Sequence, residues 1–493
     1  MRNKGALLVA VVISLFFVAP CIGATTIVIN NKNVGTTGFN DPTVVVPVDG
    51  NPGVTLGQQR LNVFQRAADQ WAALLNSNVT IVVDGSMVAL TCTATSATLG
   101  SAGPLATAAN FPSAPRTNTS YNIAEANALA GSDLDPTHSD IQAQFNVTLD
   151  SATAGCLNKE TWWYGLDPGV APPANTIPLL PVVFHELGHG LGFTSNVSTT
   201  NGTYLTGSDV PVWANYLFDT SFNATWKNLS ASQRLASSTN DPFLVWTGPR
   251  TNKQAGEYLK PSGALLINGT TTLPTPDEVG TASFGSVPPP SGITGDVVYV
   301  DDGDAAAGSP PGTVNDGCET PFVSNVSGKI ALIDRGLCSF AQKAKNAQTQ
   351  GAIAVVIANN TANVNGLPLG MSGTDATITI PAYSISQAFG TAMKTAIGSG
   401  TVNVTLGYAN IGVHDGCIRM FAPSPLISGS SVSHFHADAT PDLLMEPSLN
   451  TTLFNTVDLT LPFFADIDWS TNSIEDFIYT DNFGPNVCQH VQP

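Results

Sequence analysis

Apolar and polar positions divide the chain into stretches of different period. Between Gln58 and Asn76, the residues Leu61, Phe64, Ala68, Trp71 and Leu75 recur in steps of three and four. That spacing puts them on one face of an amphipathic helix. Val79, Ile81 and Val83 alternate, as do Ile141, Ala143, Phe145, Val147 and Leu149, and Thr26 to Asn30 opens in the same way. A period of two predicts strands with one buried face. Ile141–Leu149 is our candidate for an exposed sheet edge. Further on, Leu179, Leu180, Val182, Val183, Phe184, Leu187, Leu191 and Phe193 crowd together, which predicts a helix buried on most sides. Alternating strands and an amphipathic helix leading into this apolar helix predict an α+β unit.

The middle of the chain changes character. Lys260 to Asp316 is rich in Gly, Pro, Thr and Ser. A compact pattern follows, with a strand at Lys329–Ile333, the turn Asp334-Arg335-Gly336 and a helix at Ser339–Gln350. Gly351 stands where a helix C-terminus favours glycine, and Ala352–Ala358 reads as a buried strand. Thr377–Ile380 and Ser384–Ile385 bracket Pro381, and a helix from Gln387 stops at Gly398. We expect an inserted module over residues 260–405, flanked by two halves of one domain, 25–259 and 406–493.

At 493 residues the chain exceeds what one core usually serves. Charged residues are only 11% of it, and 18 Lys and Arg stand against 36 Asp and Glu with no basic cluster. That balance excludes nucleic acid as an expected partner. Arg2 and Lys4 precede an apolar run from Ala6 to Val18, then Pro20, Gly23 and Ala24. This reads as a cleaved secretory signal over residues 1–24, too short for a membrane span. The expected product is secreted or periplasmic, without a membrane anchor; the sequence is silent on its oligomeric state. Apart from Cys21, six cysteines remain, an even number that favours disulfides in an exported chain. Regional grouping pairs Cys92 with Cys156, Cys318 with Cys338, and Cys417 with Cys488.

The chemistry concentrates on the apolar helix, which contains HELGHGLGF from His185 to Phe193. His185 and His189, four residues apart, project from one helix face and can share one zinc ion. Glu186 lies beside the first imidazole and can take a proton from a water on the metal. Polar groups on so apolar a helix need a compensating partner. A catalytic zinc takes three protein ligands and a water, so a third donor is required. The other histidines are His138 in a turn-like DPTHSD segment, His490 near the end, and the cluster His414, His434 and His436. Asp301, Asp302 and Asp304 could hold calcium, but a solvated acidic loop is the simpler reading.

HELGHGLGF resembles the start of the HExxHxxGxxH motif of metzincin peptidases. Gly192 matches the glycine, whereas Ser195 stands at the third-ligand position and is a poor zinc ligand. The segment GSSVSHFHADATPDLLMEP, Gly429 to Pro447, resembles the stretch of leishmanolysin-like metzincins that supplies a distant ligand and a methionine turn. The resemblance implies His434 as third ligand and Met445 as turn methionine, with His436 the nearest substitute and His414 or Asp438 behind it. DLTLPFFADIDW, Asp458 to Trp469, resembles the C-terminal helix region of those enzymes.

The middle segment resembles the protease-associated (PA) domain, on Asp316–Cys318, Val326–Asn360 and Ile378–Ser386. Such domains are β-rich and non-catalytic, which implies a role in substrate access or protein contact. The joint expectation is an α+β, zincin/metzincin-like catalytic domain split by a PA domain. It would be a zinc-dependent endopeptidase acting on protein or peptide substrates, with Glu186 as general base. The alternative is an exported zinc-binding or protein-interaction protein without peptidase activity. Ser195 speaks for that alternative, and the retained Glu186 against it.

Overall fold

A computed structural model describes residues 25–151, 155–269, 273, 279–303, 312–360, 368–448, 453, 457–472, 488 and 490. The signal segment read over residues 1–24, with Cys21, lies outside them. The protein is mixed α/β. Helix α1 (Leu56–Leu74) starts where the Thr55 side chain accepts the Gln58 N–H, satisfying one of the donors a helix start leaves open. Its buried face is Val63, Phe64, Ala67, Ala68 and Trp71. That face belongs to the core shared with a sheet of β1 (Ile27–Asn31), β2 (Ile81–Val88), β3 (Gly100–Pro104) and β4 (Ile141–Asn146), in the order β1-β2-β4-β3. β1, β2 and β4 run parallel, with Val83 opposite Ile141 and Met87 opposite Phe145. β3 is antiparallel to β4 and forms the edge.

The alternation from Ile141 therefore marks an interior strand, which corrects the edge assignment. The alternation also runs past the strand, because residues Val147–Ser151 turn into a short 3-10 helix. Asn146 ends the ladder: its Oδ1 accepts the N–H groups of both Leu90 and Thr148. The true edge, GSAGP, has no apolar alternation to read. It is made of small residues because it crosses close to its neighbour; a Cβ on Gly100 would stand 2.6 Å from the Phe145 ring.

Helix α2 (Leu179–Leu191) packs on α1 and β4. The Trp71 indole donates to the Phe184 carbonyl at 2.9 Å, and the two rings lie 4.7 Å apart. Gly190 lets the helix approach β4, since a Cβ there would meet Ile141 at 2.4 Å. Gly192 ends the helix at φ +142°, a conformation that favours glycine. Helix α5 (Thr460–Asp466) closes the same core from the other end of the chain. Its Phe463 ring lies 4.3 Å from Phe193, 4.9 Å from Trp213 and 4.0 Å from Trp246.

The central segment forms its own sheet, of β5 (Ser262–Asn268), β6 (Gly280–Thr281), β7 (Ile293–Tyr299), β8 (Ile330–Asp334), β9 (Ala354–Ala358), β10 (Ala382–Ile385) and β11 (Asn403–Ala409). Their order is β5-β11-β7-β8-β9-β10-β6, with β7 to β10 parallel. α3 (Phe340–Thr349) and α4 (Gln387–Ser399) contribute to its two apolar clusters. β5, β6 and β7 lie within the Gly- and Pro-rich stretch, where their periodicity is hidden. Thr377–Ile380 is not a strand: the Gln348 side chain takes the N–H groups of Thr379 and Ile380, and pairing begins after Pro381. The three disulfides grouped from the sequence are formed. No helix among the described residues is long and apolar enough to cross a membrane.

Candidate metal centre

Helix α2 presents His185 and His189 from one face, and a C-terminal loop brings His434 to them. All three side chains are buried. The Nε2 atoms lie 3.1 Å (His185–His189), 3.1 Å (His189–His434) and 3.3 Å (His185–His434) apart. Each Nδ1 meets a backbone carbonyl: Leu444 for His185 at 2.6 Å, Phe193 for His189 at 2.6 Å, and Ser430 for His434 at 2.8 Å. A carbonyl only accepts, so every Nδ1 carries the proton and every Nε2 keeps its lone pair. Burial holds the imidazoles neutral. It lowers the His185 pKa to about 4; burial and the neighbouring His185 lower that of His189 to about 3; His434 lies well below its usual range for the same causes.

Three lone pairs aimed at one point have no proton to share and repel each other unless a cation lies between them. Tetrahedral zinc with Zn–N distances of about 2.0–2.1 Å separates its nitrogen ligands by roughly 3.3 Å. The donors are neutral nitrogens, the set that suits zinc rather than calcium or magnesium. These residues fit the ion.

Glu186 sits next to the triad. Its Oε2 accepts the Ala102 N–H of β3 at 3.0 Å. Burial pushes its carboxyl up to about 7, with the Ala102 hydrogen bond pulling the other way. A cleft of about 740 Å³ opens here, lined among others by Ala102, Glu186, the three histidines and Glu446. Met445 is buried beneath, so close to α2 that a Cβ on Gly188 would stand 2.8 Å from its Sδ. The Met445 carbonyl accepts the Phe435 N–H at 2.9 Å, which ties the loop carrying Met445 to the residue after His434. Ser195 is no member of the triad; its Oγ accepts a bond from Ser433 Oγ at 3.4 Å, on the loop that carries His434.

His436 lies elsewhere. It joins a buried ion cluster in which Arg419 reaches Asp438 at 2.7 Å and both Asp241 oxygens at 2.7 Å, while His436 Nε2 lies 3.3 Å from Asp241. Asp438 is thereby committed too. His414 packs on Phe243, His490 stacks on Phe218, and His138 is held by Asp135. Asp302, read as part of a solvated loop, is buried instead. It accepts the Cys318 N–H and groups with Asp316 and Glu319. The fully buried Lys343 ammonium, bonded to the Asp316 carbonyl, neutralises part of that cluster. Asp304 lies outside the described residues.

Several contributors had no sequence signal. The carbonyls of Leu444, Phe193 and Ser430 are backbone groups that any residue supplies. Asp458 accepts the Leu444 N–H and so helps hold in place the residue whose carbonyl orients His185. Its spacing to His185 along the chain could not have revealed this.

A family model described as "PA domain" matches residues 293–393, and the chain carries a PA domain there. The probable lipoprotein aminopeptidase LpqL of Mycobacterium tuberculosis is 31% identical over 144 residues, 29% of this chain and 26% of that protein. Leucine aminopeptidase 2 of Trichophyton equinum is 36% identical over 98 residues, 20% of this chain and 19% of its own. Signal peptide peptidase-like 4 of Oryza sativa subsp. japonica is 34% identical over 89 residues, 18% and 16%. The chain thus spans about a quarter or less of these relatives, over stretches comparable in length to the PA segment. A solved zinc aminopeptidase from Bacillus subtilis overlaps 32% of this chain and 36% of its own, at 21% identity and a TM-score of 0.22.

Proposed function

We propose that the protein is an exported zinc-dependent endopeptidase. His185, His189 and His434 are its metal ligands, Glu186 its general base and Met445 the methionine of a metzincin-like turn. The observation that carries this reading is the convergence of three deprotonated Nε2 atoms, each fixed from behind by a carbonyl. Residues 25–259 and those after β11 make up the catalytic unit; the insert, expected over 260–405, runs on to Ala409, because β11 pairs with β5 as far as that residue. In support, one apolar core gathers residues from Ile27 to Leu259 and from Ile418 to Trp469. Substrate access or protein contact is the role we assign to the PA domain.

When bound, zinc supplies a Lewis-acid centre that polarises a carbonyl and makes a water more acidic. The chain's own groups do the rest. The Glu186 carboxylate takes the proton of the attacking water and passes it to the nitrogen of the leaving amine. Its affinity for a proton, near neutral pH before any cation is counted, suits transfer in both directions. The Ala102 N–H fixes the orientation of that carboxylate. β3 lines the cleft as an edge strand, so its outer backbone groups are available to an extended peptide, and its small side chains leave room for one.

The test is Glu186→Gln, with bound zinc and casein cleavage measured together. We expect zinc to be retained and cleavage to fall by roughly a hundredfold or more. Unchanged cleavage with zinc in place would overturn the base assignment. A zinc-loaded wild type that cleaves no peptide would favour a binding protein instead. The names of the relatives favour a second reading, an aminopeptidase. Peptides with acetylated N-termini separate the two, since only an endopeptidase cleaves them.

A further inference from the structure

We infer that Glu446 is the specificity-determining residue of the cleft, an acceptor for a positively charged group of the substrate beside the scissile bond. This rests on the peptidase reading above. Glu446 follows Met445 directly and lines the same cleft as the three histidines and Glu186. The other lining residues are small, apolar or uncharged polar ones, and no lysine or arginine is among them. The stretch that follows, residues 447–457, carries no charge at all.

Glu446 is buried, and no lysine or arginine lines the cleft with it. Its Oε1 accepts one hydrogen bond, from the Leu443 N–H at 2.9 Å. Asp442, Asp458 and Asp438, all of its own sign, act on it. Burial and these neighbours push its carboxyl up to about 9, against the pull of the Leu443 N–H. Such surroundings disfavour a bare carboxylate and leave it open to pairing with a cation. An ammonium or guanidinium entering the cleft would supply one, in a charge-assisted hydrogen bond shielded from water. A capping role for the Leu443 N–H alone would not require a charged side chain, because glutamine accepts the same bond.

That chemistry has two sources in a peptide: a lysine or arginine side chain next to the cleaved bond, or the free α-ammonium of the chain end. Matched peptides with Lys, Arg or Gln flanking the scissile bond, each with free and acetylated N-termini, distinguish them. For the wild type we expect kcat/KM to favour the cationic member by about tenfold, the worth of one such hydrogen bond. A side-chain preference that survives acetylation assigns the pocket to Lys or Arg; one that vanishes assigns it to the α-ammonium. In Glu446→Gln the preference should collapse to near one. In Glu446→Lys it should pass to peptides with Asp or Glu.

A wild type that cleaves peptides with no preference for a cation overturns the inference and leaves the peptidase reading standing, without recourse to any variant. A preference that persists in Glu446→Gln overturns it as well. A zinc-loaded wild type that cleaves none of these peptides overturns the peptidase reading, and this inference with it.

Discussion

His434 and His436 are two residues apart and chemically identical, so their separate roles are a matter of surroundings alone. His434 faces two lone pairs, whereas His436 faces Asp241, Asp438 and Arg419. His434→Ala should abolish stoichiometric zinc binding, measured on the purified protein by elemental analysis. His436→Ala should keep the metal and cost about 1–3 kcal/mol of stability, because it leaves buried carboxylates short of a partner. Zinc retained by the first variant and lost by the second would reverse the assignment. Asp241 in that cluster gives a prediction with a definite sign. Burial alone would raise its pKa, but the His436 hydrogen bond and charge, with the Arg419 guanidinium, outweigh that and hold it well below the carboxylate range. A depressed carboxyl contributes stability that is present above its unfolded value, about 3.9, and is lost as the pH falls towards the folded value. Melting temperatures should therefore drop below pH 4 in the wild type and drop less steeply in Asp241→Asn. Asp438 moves the other way, because burial dominates there. Parallel acid profiles for the two proteins would refute the role of Asp241.

At the scale of elements, α2 was legible because its residue types are extreme. An apolar run with histidines four apart leaves few other readings. Which glycines matter was not legible. Gly188 lies between the two histidines, where a Cβ would come within 2.8 Å of Met445 Sδ and 3.4 Å of the Trp71 ring. Alanine improves intrinsic helix propensity by about 1 kcal/mol, yet overpacking at such a contact costs about 1–3 kcal/mol. Gly188→Ala should thus be less stable to urea and bind zinc more weakly, as the turn at Met445 is pushed away. A variant more stable than the wild type would show that the turn has room to move. β3 illustrates the opposite limit. Its edge position follows from pairing with β4, and GSAGP has no hydrophobic period from which to predict it.

For the whole molecule, His189 and His434 lie 245 residues apart in sequence, with the seven-stranded sheet between them. A metal held by both ends would tie the two parts of this apolar core together, so binding free energy adds to folding free energy. Chelation should lower the melting temperature, and zinc should restore it. The expected stabilisation is about 2.7 kcal/mol when free ion is a hundredfold above its dissociation constant. A melting temperature indifferent to chelation would remove the metal from the stability of the fold. The sequence by itself determined the elements with strong periodicity, the two histidines and the glutamate of α2, the disulfide grouping and the presence of a PA domain, because each is encoded in residues near one another. Only the tertiary structure decided that His434 meets His185 and His189 while His436 does not. It alone decided that β3 forms the cleft edge and that Glu446 is buried in a cleft lined by no lysine or arginine. Those outcomes depend on chain segments hundreds of residues apart, on carbonyls that every residue carries, and on packing distances that no local pattern records.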